Sequence, residues 1–140
     1  MRELELQAQV ADYLRLRYPD VLFHSDFGSG IKLTMGQAVK QKRLNGGRRA
    51  WPDMFIAQAK MQPRIIHGLF LELKRDGVKI HKKDGELVAD QHIREQARLL
   101  DELRKRGYAA EFACGFDEAK KIIDEYLWQK IEKVVDEEEE

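Results

Sequence analysis

The chain has one cysteine, Cys114, in 140 residues. A single thiol excludes an internal disulfide and any cysteine-based zinc cage, and it suits the reducing cytoplasm. No apolar run approaches the roughly 18 residues of a membrane span. The N-terminus, MRELELQAQV, lacks the apolar stretch of a signal peptide. There is no internal repeat and no linker-like stretch. The expected organisation is therefore one domain over residues 1–134, followed by a short acidic tail at 135–140. Acidic residues are missing from Phe27 to Pro52, a stretch that holds Lys32, Lys40, Lys42, Arg43, Arg48 and Arg49.

Charge is otherwise plentiful. Charged residues make up 36% of the chain and hydrophobic residues 43%, with a formal net charge of zero. The balance is uneven, because the acids concentrate toward the terminus Asp136-Glu137-Glu138-Glu139-Glu140. A basic segment beside an acidic tail points to a surface for a polyanion, against the plainer reading of solvated loops. The tail by itself reads as disordered.

Apolar spacing predicts a helix over Glu3–Arg17, with Leu6, Val10, Tyr13 and Leu14 as its stripe. A short strand follows at Val21–Ser25, then a break at FGSG. A basic helix over Thr34–Leu44 takes Thr34 as its cap. Strands at Asp53–Ala59 and Ile65–Lys74 form a hairpin through a link containing Pro63. A polar loop spans Asp76–Asp84. A helix over Asp90–Arg106 carries Ile93, Ala97, Leu100 and Leu103 and ends at Gly107. A strand at Tyr108–Ala113 precedes a last helix at Phe116–Val134, with Ile122, Ile123, Tyr126, Leu127 and Ile131 facing inward. This order predicts an α/β fold with a mixed sheet flanked by helices.

The hairpin holds charges that strand interiors usually exclude. Glu72 and Lys74 lie two apart, so they share one face with Phe70, while Leu71 and Leu73 take the other. Pro52-Asp53 opens one strand and Glu72-Leu73-Lys74 closes the next, so a hairpin brings Asp53, Glu72 and Lys74 to one end of the sheet. Paired carboxylates raise each other's pKa. A hard divalent cation removes that conflict, and magnesium needs only one or two protein carboxylates. A lysine beside it adds a compact positive charge. Such a set suits metal-assisted phosphodiester hydrolysis.

Five stretches in order, ELELQ, GGRRAWPDMFIA, GLFLELK, REQARLLDELRKRGY and GFDEAKKIIDEYL, resemble the virus-type replication-repair nucleases (VRR-NUC) of the PD-(D/E)xK superfamily. The resemblance runs from Glu3 to about Leu127. It implies a restriction-endonuclease-like core with Mg2+ or Mn2+ held by Asp53, Glu72 and the main-chain carbonyl of Leu73, and with Lys74 catalytic. It also implies an acid on the first helix, Glu3 or Glu5. Glu3 shares the inward stripe with Gln7, Val10 and Leu14 and is chosen, reaching the metal through a water. The glutamine of the family's next helix is Gln91 or Gln96; Gln96 keeps the expected distance to Gly107-Tyr108 and is chosen.

Lys40, Lys42, Arg43, Arg48 and Arg49 are expected to contact DNA phosphates, which carry no base information. Trp51 reads equally as a base-stacking or a packing residue, and Trp128 as an interface or core-margin residue. Cys114 reads as core. His24, His67, His81 and His92 have no spacing that suggests a shared metal site and read as structural or surface residues.

The resemblance further implies a dimeric Holliday-junction resolvase acting on branched DNA in repair, of phage or mobile-element origin. The alternatives are a flap, fork or nicking nuclease, and a catalytically silent DNA-binding module.

Overall fold

The computed structural model describes residues 2–26 and 32–139, with side chains as far as Trp128. The FGSG break and the inward Ile131 lie outside the residues or side chains described. The elements follow the expected order: α1 (Glu3–Arg17), β1 (Phe23–Ser25), α2 (Met35–Leu44), β2 (Met54–Ile56), β3 (Leu69–Lys74), α3 (Gln91–Lys105), β4 (Ala109–Cys114) and α4 (Phe116–Glu139). The strands form one mixed sheet in the order β1-β2-β3-β4. The first two pairings are antiparallel, and β3–β4 is parallel across the α3 crossover.

Residue parity along the strands divides the molecule into two layers. Leu69, Leu71 and Leu73 of β3 and Met54 and Ile56 of β2 point into the larger core, where Leu6, Val10 and Leu14 of α1 and Ile123 and Leu127 of α4 cover them. The opposite face carries Phe70 and Phe112, which pack with Leu99, Leu100 and Leu103 of α3. Asp53, Phe55, Glu72 and Lys74 share this second face by parity. The site thus lies on the α3 side of the sheet, at the β3 end where the smaller core stops.

The paired part of the hairpin is shorter than expected. Met54–Ile56 pairs with Leu69–Leu71, and a single bridge, Lys60 with Ile66, continues it. Beyond Ile56 the β1 side of the ladder continues, the Ala57 N–H donating to Leu22 O at 2.8 Å, while pairing toward β3 stops. Pro63 adds no donor to the ladder. Gly68 is required by close approach: a Cβ there would lie 2.5 Å from the Phe55 ring and 2.9 Å from Ile56 O.

Helix ends follow their local chemistry. Thr34 caps α2, its hydroxyl accepting from Gln37 N while the Gln37 side chain accepts from Thr34 N, a reciprocal capping box. Asp90 caps α3 by accepting from Ile93 N at 3.0 Å. The last helix passes Val134 and continues to Glu139, into the acidic tail read as disordered. No glycine or proline follows Gly115, and glutamate is a good helix former. Cys114, expected in the core, is half-buried at the end of β4.

Tyr13 is only half-buried, because its hydroxyl serves a polar tie instead. Tyr13 and Tyr18 both donate to Asp124 Oδ1 of α4, at 2.5 and 2.6 Å. Burial and then the Asp124 carboxylate push Tyr13 up to about 12. Asp124→Ala is expected to lower stability by about 1–3 kcal/mol, because two partly buried hydroxyls lose their acceptor. Asp124→Asn, which keeps an acceptor, should lose less. Urea denaturation checks the order; equal midpoints for all three proteins would mean water replaces the carboxylate at no cost.

Candidate active site

The buried polar side chains among the described residues are Gln7, Asp53, Glu72, Lys74 and Gln96. Four of these form one cluster. Asp53, 6% exposed, stands at the start of β2 and accepts the Leu73 N–H on Oδ2 at 2.6 Å. Glu72, 4% exposed, accepts from Gln96 Nε2 on Oε1 at 2.7 Å. Lys74 Nζ lies 4.0 Å from the same Oε1. Each side chain is therefore oriented by a neighbour on another element or strand position. Among the described residues, neither Glu72 Oε2 nor Gln96 Oε1 has a hydrogen-bond partner.

Burial dominates the electrostatics. It pushes Asp53 up to about 6 from an ordinary value of 3.8, against the Leu73 N–H, which favours the charged form. Glu72 is held well above its usual range, first by burial and then by the Asp53 charge. The two carboxyls lie within proton-sharing reach, so in the metal-free protein one of them holds a proton more readily than an ordinary acid. The Lys74 charge opposes both shifts, and the Glu3 charge adds to both.

The cluster opens into a cavity of about 380 Å³. Glu3 of α1 lines it, whereas Glu5 is exposed and accepts the Arg2 N–H at 3.3 Å. Gln96 lines it, whereas Gln91 is exposed at the start of α3. Lys42, Arg48 and Arg49 form the basic wall. Lys40 and Arg43 are exposed on α2 and stand outside this lining. Arg48 is engaged by Glu102 of α3, at 2.5 Å, with both side chains well exposed. Ala50 turns the chain from this wall into the site with φ +67°, a left-handed conformation that costs a non-glycine residue about 1 kcal/mol.

Four polar cavity residues escaped the sequence reading: Asp26, Gln41, Asn45 and His92. His92 was read as structural or surface, but it sits four positions before Gln96, and helical spacing puts the two on one side of α3. Asp26 and Asn45 lie in connections whose direction no periodicity reveals.

The donor set suits a hard cation. Two adjacent buried carboxyls, both raised by burial and Glu72 also by the Asp53 charge, are what a divalent ion would neutralise. Among the described residues no group of three or more His, Cys, Asp and Glu converges as a metal cage.

No family profile and no curated protein matches the chain. Similar solved structures include two VRR_NUC domains. One, described as "VRR_NUC domain protein", aligns over 91% of this chain and 88% of its own, at 25% identity and a TM-score of 0.61. Another, described as "VRR_NUC domain", aligns over 86% of this chain and 96% of its own, at 23% identity and a TM-score of 0.46. Among the described residues, the four helices and the four-stranded mixed sheet make an α/β nuclease-like fold. The first likeness agrees with the ordered motifs: in sequence and in fold the chain is similar to a VRR-NUC domain.

Proposed function

We propose that the chain is a magnesium- or manganese-dependent endodeoxyribonuclease that cuts branched DNA as a homodimer, with four-way junctions as its substrate. The observation that carries the hydrolytic part is the buried set Asp53, Glu72, Lys74 and Gln96 opening into a cavity with a basic wall. Asp53, Glu72 and the Leu73 carbonyl would hold the metal, with Glu3 acting through a water. A bound divalent ion would polarise a phosphoryl oxygen and lower the pKa of an attacking water. The Leu73 N–H fixes the Asp53 carboxylate, and Gln96 occupies one Glu72 oxygen and leaves the other for a ligand. Lys74 sets a buried positive charge where the transferring phosphate gains negative charge.

The dimer follows from stoichiometry. A symmetric junction needs two paired cuts, and the chain carries one catalytic set. Trp128, 54% exposed on α4, suits an interface. Sedimentation should show a particle of twice the chain mass at micromolar concentration, and a cruciform plasmid should be linearised in one binding event. A monomer that nicks once, or that prefers a flap, would favour the flap or nicking reading. No cutting of any DNA with either metal would favour the silent binding module.

The basic wall makes a separate prediction. If Lys42, Arg48 and Arg49 neutralise phosphates, each loss should reduce the log–log salt slope of duplex binding by roughly 0.9. Arg48→Ala with Arg49→Ala should flatten the slope most. Because Glu102 engages Arg48, Glu102→Gln should strengthen DNA binding at low salt. An unchanged slope in the double variant would remove these arginines from the DNA path.

A further inference from the structure

Beside the carboxylates lies a second hollow, of about 290 Å³, that the hydrolytic chemistry does not use. Trp51, Phe55 and Phe70 wall it, with His24, Asp26 and Asn45 as its polar lining. Asp26, Asn45, Trp51 and Asp53 line both this hollow and the catalytic cavity, so the two spaces adjoin. Phe55 and Phe70 face each other across β2 and β3 and stack, with centroids 4.4 Å apart and planes 29° apart. Trp51 stands 6.3 Å from Phe70, tilted by 51°, and is 39% exposed. Its indole N–H donates to Asn45 O at 3.1 Å, which sets the ring's orientation and leaves its faces for other contacts.

Resting on the nuclease reading above, we infer that this hollow is a nucleobase site, taking an unpaired base adjacent to the scissile phosphate. The lining sorts ligands by chemistry. Lys42, Arg48 and Arg49 line the catalytic cavity and not this hollow, so the phosphate backbone belongs on their side. Aromatic walls accept the π face of any base, and the polar groups meet its edge without demanding one sequence. A base stacked and paired within a duplex cannot enter; an unpaired or extruded one can. The site would therefore select for DNA structure near the cut, through one nucleotide that the local geometry has released.

The test is equilibrium binding in EDTA, which removes divalent metal and so prevents cleavage. The probes are a labelled duplex with one bulged nucleotide, the same duplex with an abasic spacer at the bulge, and the fully paired duplex. The wild-type chain should bind the bulged base about tenfold more tightly than the abasic bulge, the scale of one base–aromatic stack. Trp51→Ala should erase that difference and leave paired-duplex affinity and the salt slope unchanged; Trp51→Phe should keep most of it. Equal binding of base and spacer by the wild-type chain, or a parallel loss on all three probes in Trp51→Ala, overturns the inference and leaves the nuclease reading standing. No binding of any probe by the wild-type chain would bring down both. The wild-type comparison needs no variant, so a folding defect in Trp51→Ala does not protect the idea.

Discussion

Asp53→Asn is expected to abolish cleavage and at the same time to stabilise the metal-free protein at pH 8. Cleavage should fall by about 10³-fold or more, because the metal's several kcal/mol of charge stabilisation is lost with its ligand. The stability gain has the opposite origin. Asp53 is raised to about 6 in the folded chain, chiefly by burial, against 3.8 as an ordinary value. Between those values the native state holds more protons than the unfolded one, so stability falls as pH rises through this window. Above about pH 6 the full penalty applies, on the order of 3 kcal/mol at 1.36 kcal/mol per pKa unit. Asparagine has no charge to desolvate and keeps an oxygen for the Leu73 N–H. The variant should therefore gain about 1–3 kcal/mol at pH 8 and nothing below about pH 4. Denaturant melts at both pH values, in EDTA, check the sign. A variant less stable than the parent at pH 8 would show that the charged carboxylate serves the fold rather than a ligand. Manganese titration adds a second arm: affinity unchanged in both Asp53→Asn and Glu72→Gln would sink the metal assignment.

Lys74→Met should separate catalysis from metal binding. Removing a positioned charge at the reacting phosphate is expected to cost about 10²–10³-fold in cleavage, the scale of one lost electrostatic stabiliser. Manganese should still bind at pH 8, as tightly as in the parent or more so, because a cation is removed from beside Glu72. Methionine keeps an unbranched stem in the buried position, 6% exposed in the parent, which limits the cavity left behind. Single-turnover cleavage and calorimetry on the same preparation decide the matter. Loss of manganese binding together with cleavage would make Lys74 a structural counter-ion; full activity would exclude it from the reaction.

Much of this was legible in the chain because it is written at short range. Period-3.6 spacing of Leu6, Val10 and Leu14 marks α1, and Thr34 and Asp90 announce the starts of their helices. Alternation in GLFLELK separates the Leu face from the face of Phe70, Glu72 and Lys74. Strand lengths were less legible: Asp53–Ala59 and Ile65–Lys74 have strand composition throughout, yet pairing depends on which partner each backbone group reaches. The helical content beyond Val134 was misjudged because composition argues for both disorder and helix in a run of glutamates.

What the sequence determined by itself was which side chains share a face and in what order the elements come, since both follow from backbone geometry and local propensity. Only the tertiary structure decided what meets across elements. It brought Gln96 of α3 onto Glu72 and placed Glu3, not Glu5, in the cavity lining. It engaged Arg48 with Glu102 and left Lys40 and Arg43 outside that lining. It also set Trp51 at the mouth of an aromatic hollow. These contacts span many residues of chain, and burial, which raises Asp53 and Glu72 together, exists only once the layers have closed over them.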